Sequence, residues 1–244
     1  MHFLEGGNTE IVASSAGRDF VESDLATHGL FSTIGRPTPV YKVTKWAQAF
    51  ERLTWPFPHP DRTIADTQTK DKTDLGITII QTIGHTPDEL AWYDHDEMHL
   101  YVGDSFYREG KDEMPIVFPQ QGSMIEWIFA MQKLAVFVRT ENAKAAAAAE
   151  TASAGDPDWV NVTRRVLVSC AHQTTNVDGA DILAELEQFS YRVITKDVPL
   201  VEKRKAYGSD YGLWRETAKK RTPMSILAPT KLMDEVRDFF GHPR

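Results

Sequence analysis

Ile77-Thr-Ile-Ile-Gln-Thr-Ile-Gly-His-Thr-Pro-Asp88, followed at short range by His99-Leu-Tyr-Val-Gly-Asp-Ser-Phe106, decides how this chain folds. Leu75 to Ile83 is β-branched and alternates imperfectly, which predicts a strand buried largely on both faces. Gly84 lets the backbone turn sharply, His85 stands at the tip of that turn, and Pro87 fixes φ beyond it. Glu89–Tyr93 and Met98–Val102 read as two further strands, and Asp94-His-Asp-Glu97 between them supplies turn chemistry, so the pair is a hairpin. The hairpin ends on Gly103-Asp104, where glycine permits a close approach of the backbone to whatever the carboxylate binds.

Working outward, Arg165-Val-Leu-Val-Ser-Cys170 is another buried strand, and His172 follows it directly. His85, Asp104 and His172 then each lie one step beyond the end of an apolar strand, a layout that gathers them on one rim of a sheet. Imidazole plus carboxylate suits zinc, iron or manganese rather than calcium. The plainer alternative is three unrelated edge residues. His95 and His99 are four apart, but on a hairpin they fall on opposite sides of the turn and read as exposed. His28, His59 and His242 lie in loop or tail contexts. Cys170 reads as a small core residue, because a nucleophilic thiol needs a base and a depressed pKa.

Gly84-His-Thr-Pro-Asp88, Leu100-Tyr-Val-Gly-Asp-Ser105 and the strand ending in Ala171-His172 resemble, in order, the later metal motifs of the metallo-β-lactamase superfamily. Ser14-Ser-Ala-Gly-Arg-Asp19 resembles the segment that follows that superfamily's first metal loop. The resemblance implies an αββα sandwich, α/β or mixed α+β in class, with residues 1–244 as one partial domain. It further implies two metal sites, zinc or else iron or manganese, with His85 completing the three-histidine position, Asp104 bridging, and His172 at the second metal. A metal-bound hydroxide would then attack an ester, lactone or thioester of a small-molecule substrate. Ile83 stands where the family often has proline. The main motif, His-x-His-x-Asp-His, occurs nowhere in the chain, and His2 falls after its expected place. Four of seven ligand side chains are therefore wanting, and the half-shell that remains is expected to bind metal weakly or not at all. The reading is an amino-terminally shortened member lacking its first strands and first metal loop, impaired as a hydrolase. Two alternatives accompany it: a non-catalytic, partner-dependent protein that self-associates through an exposed sheet edge, and an iron-dependent thiol oxygenase of the same fold.

The bulk composition agrees with a globular chain. Its 244 residues suffice for one core, at 41% hydrophobic and 25% charged. A net charge of −8 argues against nucleic acid as partner, and Lys203-Arg-Lys205 and Lys219-Lys-Arg221 read as solvated surface or helix ends. No apolar run approaches the roughly 20 residues that span a bilayer, and no secretory signal is visible, so no membrane partner is expected. A single cysteine excludes an internal disulfide and fits the cytoplasm. No dinucleotide fingerprint, phosphate-binding loop or nucleophile elbow is present.

Between these landmarks, Thr9–Ala13 is a short strand, and Ser14 or Ser15 caps a helix running to Leu25. Residues 30 to 74 read as irregular, with aromatics Trp46, Phe50, Trp55 and Phe57 packing them down. Ser123-Met-Ile-Glu126 has capping-box spacing ahead of a long helix whose alanine-rich tail ends by Gly155-Asp-Pro157. A helix follows from Ala180 to Phe189, then a loop region around Tyr207–Trp214, then a final amphipathic helix.

Overall fold

A computed structural model describes residues 10–23, 25–29, 31, 34–38, 41–55, 72–108, 114–153, 163–206, 208–217 and 223–242. Expectations for the first seven residues, Phe57, His59, Gly155–Pro157, Tyr207 and Lys219–Arg221, and for the side chain of His28, lie outside what is described. In chain order the elements are β1 (Val12–Ser14), a 3-10 turn (Ser15–Gly17), α1 (Arg18–Ser23), α2 (Leu25–His28), β2 (Lys45–Ala47) and β3 (Arg52–Trp55). Then come β4 (Thr73–Gln81), β5 (Leu90–Asp94), β6 (His99–Tyr101), β7 (Ile116–Val117), α3 (Met124–Ser153), β8 (Leu167–Ser169) and β9 (Val177–Asp178). The chain closes with α4 (Gly179–Ile194), β10 (Leu200–Ala206), β11 (Ser209–Arg215), β12 (Ser225–Pro229) and α5 (Thr230–Phe239).

The class is mixed α+β, as the sequence predicts. A six-stranded sheet runs β3-β4-β5-β6-β8-β9, antiparallel except where β6 and β8 pair in parallel across the α3 crossover. A four-stranded sheet runs β10-β11-β12-β7, and β1 pairs with β2. Strand β4 is buried on both faces as predicted: Ile79 is 1% and Ile80 0% exposed on opposite sides. Ile80 joins the main core with Tyr93, Leu100 and Val168 of the same sheet, and with Trp127 and Leu134 of α3. That core continues without a break through α4 and α5 to Ile226 and Ala228 of β12. Ile79 faces the other way, into a small cluster with Ala47 and Leu53. The β1–β2 pair thus covers part of the outward sheet face. Farther along that face Trp92 and Tyr101 remain 47% and 38% exposed, edge to face with each other.

Three expectations need correction. Residues 30 to 74 are not uniformly irregular, since β2 and β3 lie within them. Their three- and four-residue strands are too short to show periodicity among the prolines. The Tyr207–Trp214 region is not a loop: β11 occupies most of it, between β10 and β12. Tyr211, Gly212, Leu213 and Trp214 are buried consecutively, and burial on both faces erases the alternation that marks a strand. Lys203-Arg-Lys205 sits on β10, an edge strand, where charge blocks further pairing. At the front, Ser14 makes no side-chain cap on the 3-10 turn, and helix is described on both sides of position 24, over Arg18–Ser23 and Leu25–His28. Half of the expected capping box of α3 forms: Ser123 Oγ accepts from Glu126 N at 3.3 Å, while Ser123 N donates to Gly84 O rather than to the Glu126 carboxylate. No helix among the described residues is long and apolar enough to cross a membrane.

The start of α3 is clamped to the turn after β4. Ser123 N donates to Gly84 O at 2.7 Å, and a Cβ built on Gly84 would stand 2.4 Å from Trp127 Cβ and 2.5 Å from its Cα. No side chain fits between those backbones. Gly84→Ala is expected to push the turn off α3 and to cost about 2 kcal/mol or more, read as a lower urea midpoint with an unchanged m-value.

Candidate metal centre

His85, Asp104 and His172 come from the ends of β4, β6 and β8, on one rim of the six-stranded sheet. His85 Nε2 lies 3.9 Å from Asp104 Oδ2, and His172 Nε2 lies 3.4 Å from Asp104 Oδ1. The structure thus brings together all three residues singled out from sequence, with the carboxylate between the imidazoles and a different oxygen turned to each.

The backbone explains how. Thr82 N donates to Glu89 O and Glu89 N to Thr86 O, closing the turn that carries His85. Val102 N donates to Ser169 O and Ala171 N to Gly103 O, which locks the Asp104 turn beside the end of β8. Gly103 adopts φ +57°, and His172 sits at φ +70°, a left-handed conformation uncommon outside glycine. Trp127, fully buried, donates from Nε1 to Ser105 O at 2.6 Å, so one side chain of α3 holds both the His85 and Asp104 turns.

The three groups sit in different surroundings. His85 is largely buried, and desolvation lowers its pKa against the opposing pull of Asp104, leaving a neutral imidazole near pH 7. Its Nδ1 is buried without a well-formed hydrogen bond, the Val117 backbone being its polar neighbour. Asp104 and His172 have half-open side chains, 40% and 54% exposed. Tyr107 donates its hydroxyl to Asp104 Oδ1 in a short hydrogen bond and meets the His172 ring edge to face at 5.6 Å. Burial, and then that carboxylate, raise the pKa of the phenol, which stays protonated.

Sequence reasoning missed two members of this site. Glu89, read only as the start of a strand, is 9% exposed, and burial pushes its pKa up to about 8 against the hydrogen bond it accepts from Ser105 Oγ at 3.0 Å. Among the described residues its Oε2 makes no well-formed hydrogen bond, the Asp104 and Thr86 backbones being its nearest polar neighbours. Tyr107 stands three positions beyond Asp104, and that spacing is the signal that could have found it. His99 corrects the hairpin reading: it is 8% exposed, shares a 2.8 Å hydrogen bond with Ser169 Oγ and stacks on Tyr101. His95 is half-buried and bonded to Thr78 Oγ1 at 2.8 Å. Cys170 is buried with its pKa pushed up to about 12, the inert thiol expected.

The donor types fit zinc, iron or manganese, but their number falls short. Each cation position would have one imidazole and one oxygen of Asp104, where a catalytic zinc takes three protein ligands and a water. Among the described residues no group of three or more histidine, cysteine or carboxylate side chains is arranged to hold a metal ion.

No family model matches the chain. Among curated proteins it is 23% identical over 129 residues to the Aspergillus versicolor protein named "Putative transcription factor avaE", a match covering 53% of this chain and 32% of that one. Among solved structures it is similar to a metallo-β-lactamase family protein of Thermus thermophilus, with TM-score 0.43 and 13% identity over 82% of this chain and 58% of that one. An archaeal metallo-β-lactamase superfamily protein of Sulfolobus tokodaii gives TM-score 0.42 and 12% identity over 81% and 62%. The chain therefore spans about a third of the curated relative's length and about three fifths of these two structures. These solved structures carry the name of the superfamily that the motifs resemble, at TM-scores that leave metal content and activity to be argued from the residues.

Proposed function

We propose that the rim of His85, Asp104 and His172 is a partial metal-hydrolase centre, of the class that acts on a small-molecule ester, lactone or thioester, impaired because its ligand shell is incomplete. One observation carries the reading: the two oxygens of Asp104 face two different imidazoles, as a carboxylate shared between two cation positions would. A bound zinc, iron or manganese would supply Lewis acidity and an activated water. The described side chains do not complete a shell for that chemistry, so their own roles are to hold and orient. His85 stays neutral and keeps a lone pair available. Tyr107 fixes the Asp104 oxygen turned toward His172, and a cation there must share or displace that hydrogen bond. Glu89 keeps its proton and buttresses the Asp104 turn through Ser105.

Metal analysis of the purified protein, with zinc titration against a chromophoric chelator, tests this. The expected result is sub-stoichiometric metal and weak zinc binding that Asp104→Ala lowers about tenfold or more. Near-stoichiometric, tightly held zinc or iron would overturn the impairment. Zinc binding indifferent to Asp104→Ala, His85→Ala and His172→Ala would overturn the site.

Glu89 gives a pH signature. The unfolded chain releases this proton near the ordinary value of 4.5, whereas the fold retains it to about 8. The contribution to stability is therefore complete below pH 4.5 and is lost as pH rises toward 8. Glu89→Gln keeps an acceptor for Ser105 and removes the ionisation. The variant should be more stable than wild type at pH 8, by on the order of a few kcal/mol, and nearly equal to it at about pH 4. Parallel denaturation curves across that range check the slope.

A second reading has its own observation, the outward sheet face that leaves Trp92 and Tyr101 exposed. Under it the protein works by self-association. Size-exclusion chromatography with light scattering is expected to show a concentration-dependent dimer that Trp92→Ser and Tyr101→Ser abolish. A wild-type monomer at all concentrations removes the reading.

A further inference from the structure

The faces that α3 and α4 turn toward each other do not close completely. Ile128, Met131 and Ala135 follow one another at helical spacing on α3, as do Leu183 and Ile194 on α4, and Phe240 closes one side from beyond the end of α5. Together they wall a pocket of about 210 Å³ that shares no residue with the candidate metal centre. An apolar cavity of roughly 150 Å³ holds one benzene ring, so this pocket admits a single ring with a short chain and little more. Its end wall is held in place. Arg237 donates from Nε to Ile194 O at 3.2 Å and from Nη2 to Val193 O at 2.9 Å, which ties α5 to the end of α4. His242 N returns to Arg237 O at 2.8 Å across Gly241, at φ +74°, and the Phe240 ring packs 5.1 Å from Phe239 and 6.3 Å from Phe129 of α3.

The polar side chains of this lining are not equivalent. Ser190 is buried and spends its hydroxyl inside its own helix, donating to Leu186 O at 2.7 Å. Glu187 lies one turn from both Leu183 and Tyr191 on the same face of α4, exposed at the mouth. It is the only aspartate, glutamate, lysine or arginine among the described lining residues, and its carboxylate makes no ion pair or hydrogen bond there. The Gln132 amide, on α3, is likewise without a hydrogen bond. The rings of Tyr191 and Phe240 border the same pocket, Tyr191 standing edge to face with His242 at 6.4 Å. An open carboxylate, an amide oxygen and two aromatic rings around an apolar interior are the complement of an organic cation, since ring faces attract positive charge. The chain's net charge of −8 adds a field of the same sense.

We propose that the pocket between α3 and α4 binds a small primary amine whose apolar body is about the size of one aromatic ring, with the ammonium at Glu187 and the body among Ile128, Met131, Leu183 and Ile194. An ammonium brings three donors, which the Glu187 carboxylate and the Gln132 amide oxygen accept. Burying the body supplies most of the affinity, and the carboxylate supplies the preference for a cation, because an exposed charge pair contributes little by itself.

Calorimetric titration of the full chain at low salt and pH 8 tests the assignment with three probes of one shape: 2-phenylethylamine, neutral 2-phenylethanol and anionic 3-phenylpropanoate. Saturable one-to-one binding of the amine is expected, with the alcohol weaker and the acid weakest. Glu187→Gln, an exposed isosteric change, should weaken the amine about fivefold and leave the alcohol unaltered. Glu150→Gln, the same charge change at the far end of α3, should alter neither. Ala135→Phe, which fills the pocket, should abolish binding of both while circular dichroism shows the fold retained. Absence of saturable amine binding, the acid binding as well as the amine, or equal losses in the two glutamate variants would each overturn the proposal. Amine affinity that falls as a dimer forms at rising protein concentration would overturn it too, in favour of a second copy as occupant.

Discussion

Everything at the rim depends on the contact between Trp127 and two turns that are remote from it along the chain. Its main chain lies against Gly84, and its indole N–H reaches the Ser105 carbonyl. The first turn of α3 therefore sets the spacing between the His85 and Asp104 turns. Hydrogen bonds from Val102 and Ala171 then fix His172 to the same frame. Since Trp127 is fully buried, its N–H must have a partner, and the Ser105 carbonyl supplies one. The same contact serves packing and positioning.

The candidate ligands were legible because each follows an apolar strand and is flanked by residues with a backbone purpose. Gly84, Pro87 and Gly103 announce turns, and a side chain at a strand end has one rim to point to. Glu89 was not legible: the carboxylate looks like the polar opening of a strand, and only the folded chain shows it buried behind Asp104. The burial of His99 was not legible for a related reason, since its ring nitrogen finds Ser169 across the sheet, seventy positions away, whereas Tyr107 stands three positions beyond Asp104, a spacing the sequence does show. In the fold, β4, the β5–β6 hairpin, α3 and α5 carry periodicity or capping signals, whereas β11, buried on both faces, carries neither. The two-residue β7 and β9 are too short for any pattern.

Electrostatics divides the molecule. The rim combines a neutral imidazole, a carboxylate and a protonated buried carboxyl, an arrangement that places little net charge on it. Beside α5, Lys196, Lys203, Arg204 and Arg237 border a cleft together with Asp210 and Asp234, although the chain as a whole is acidic. Both environments arise from burial more than from charge count: desolvation leads the shifts of His85, Glu89 and Arg237 alike. A charge total read from composition does not show where local fields run opposite to the average.

The parallel pairing of β6 with β8 also bears on when the rim can exist. His99 and Ser169, hydrogen-bonded across that pair, are seventy positions apart, with the whole of α3 between them. An antiparallel hairpin such as β5–β6 closes from local chain alone, but a parallel neighbour must wait for its crossover to dock. A nascent chain emerging through α3 thus already holds the first imidazole and the carboxylate, while the second imidazole arrives only with the last strands of the sheet. The three groups therefore come together only where β8 has docked beside β6, with the α3 crossover already in place.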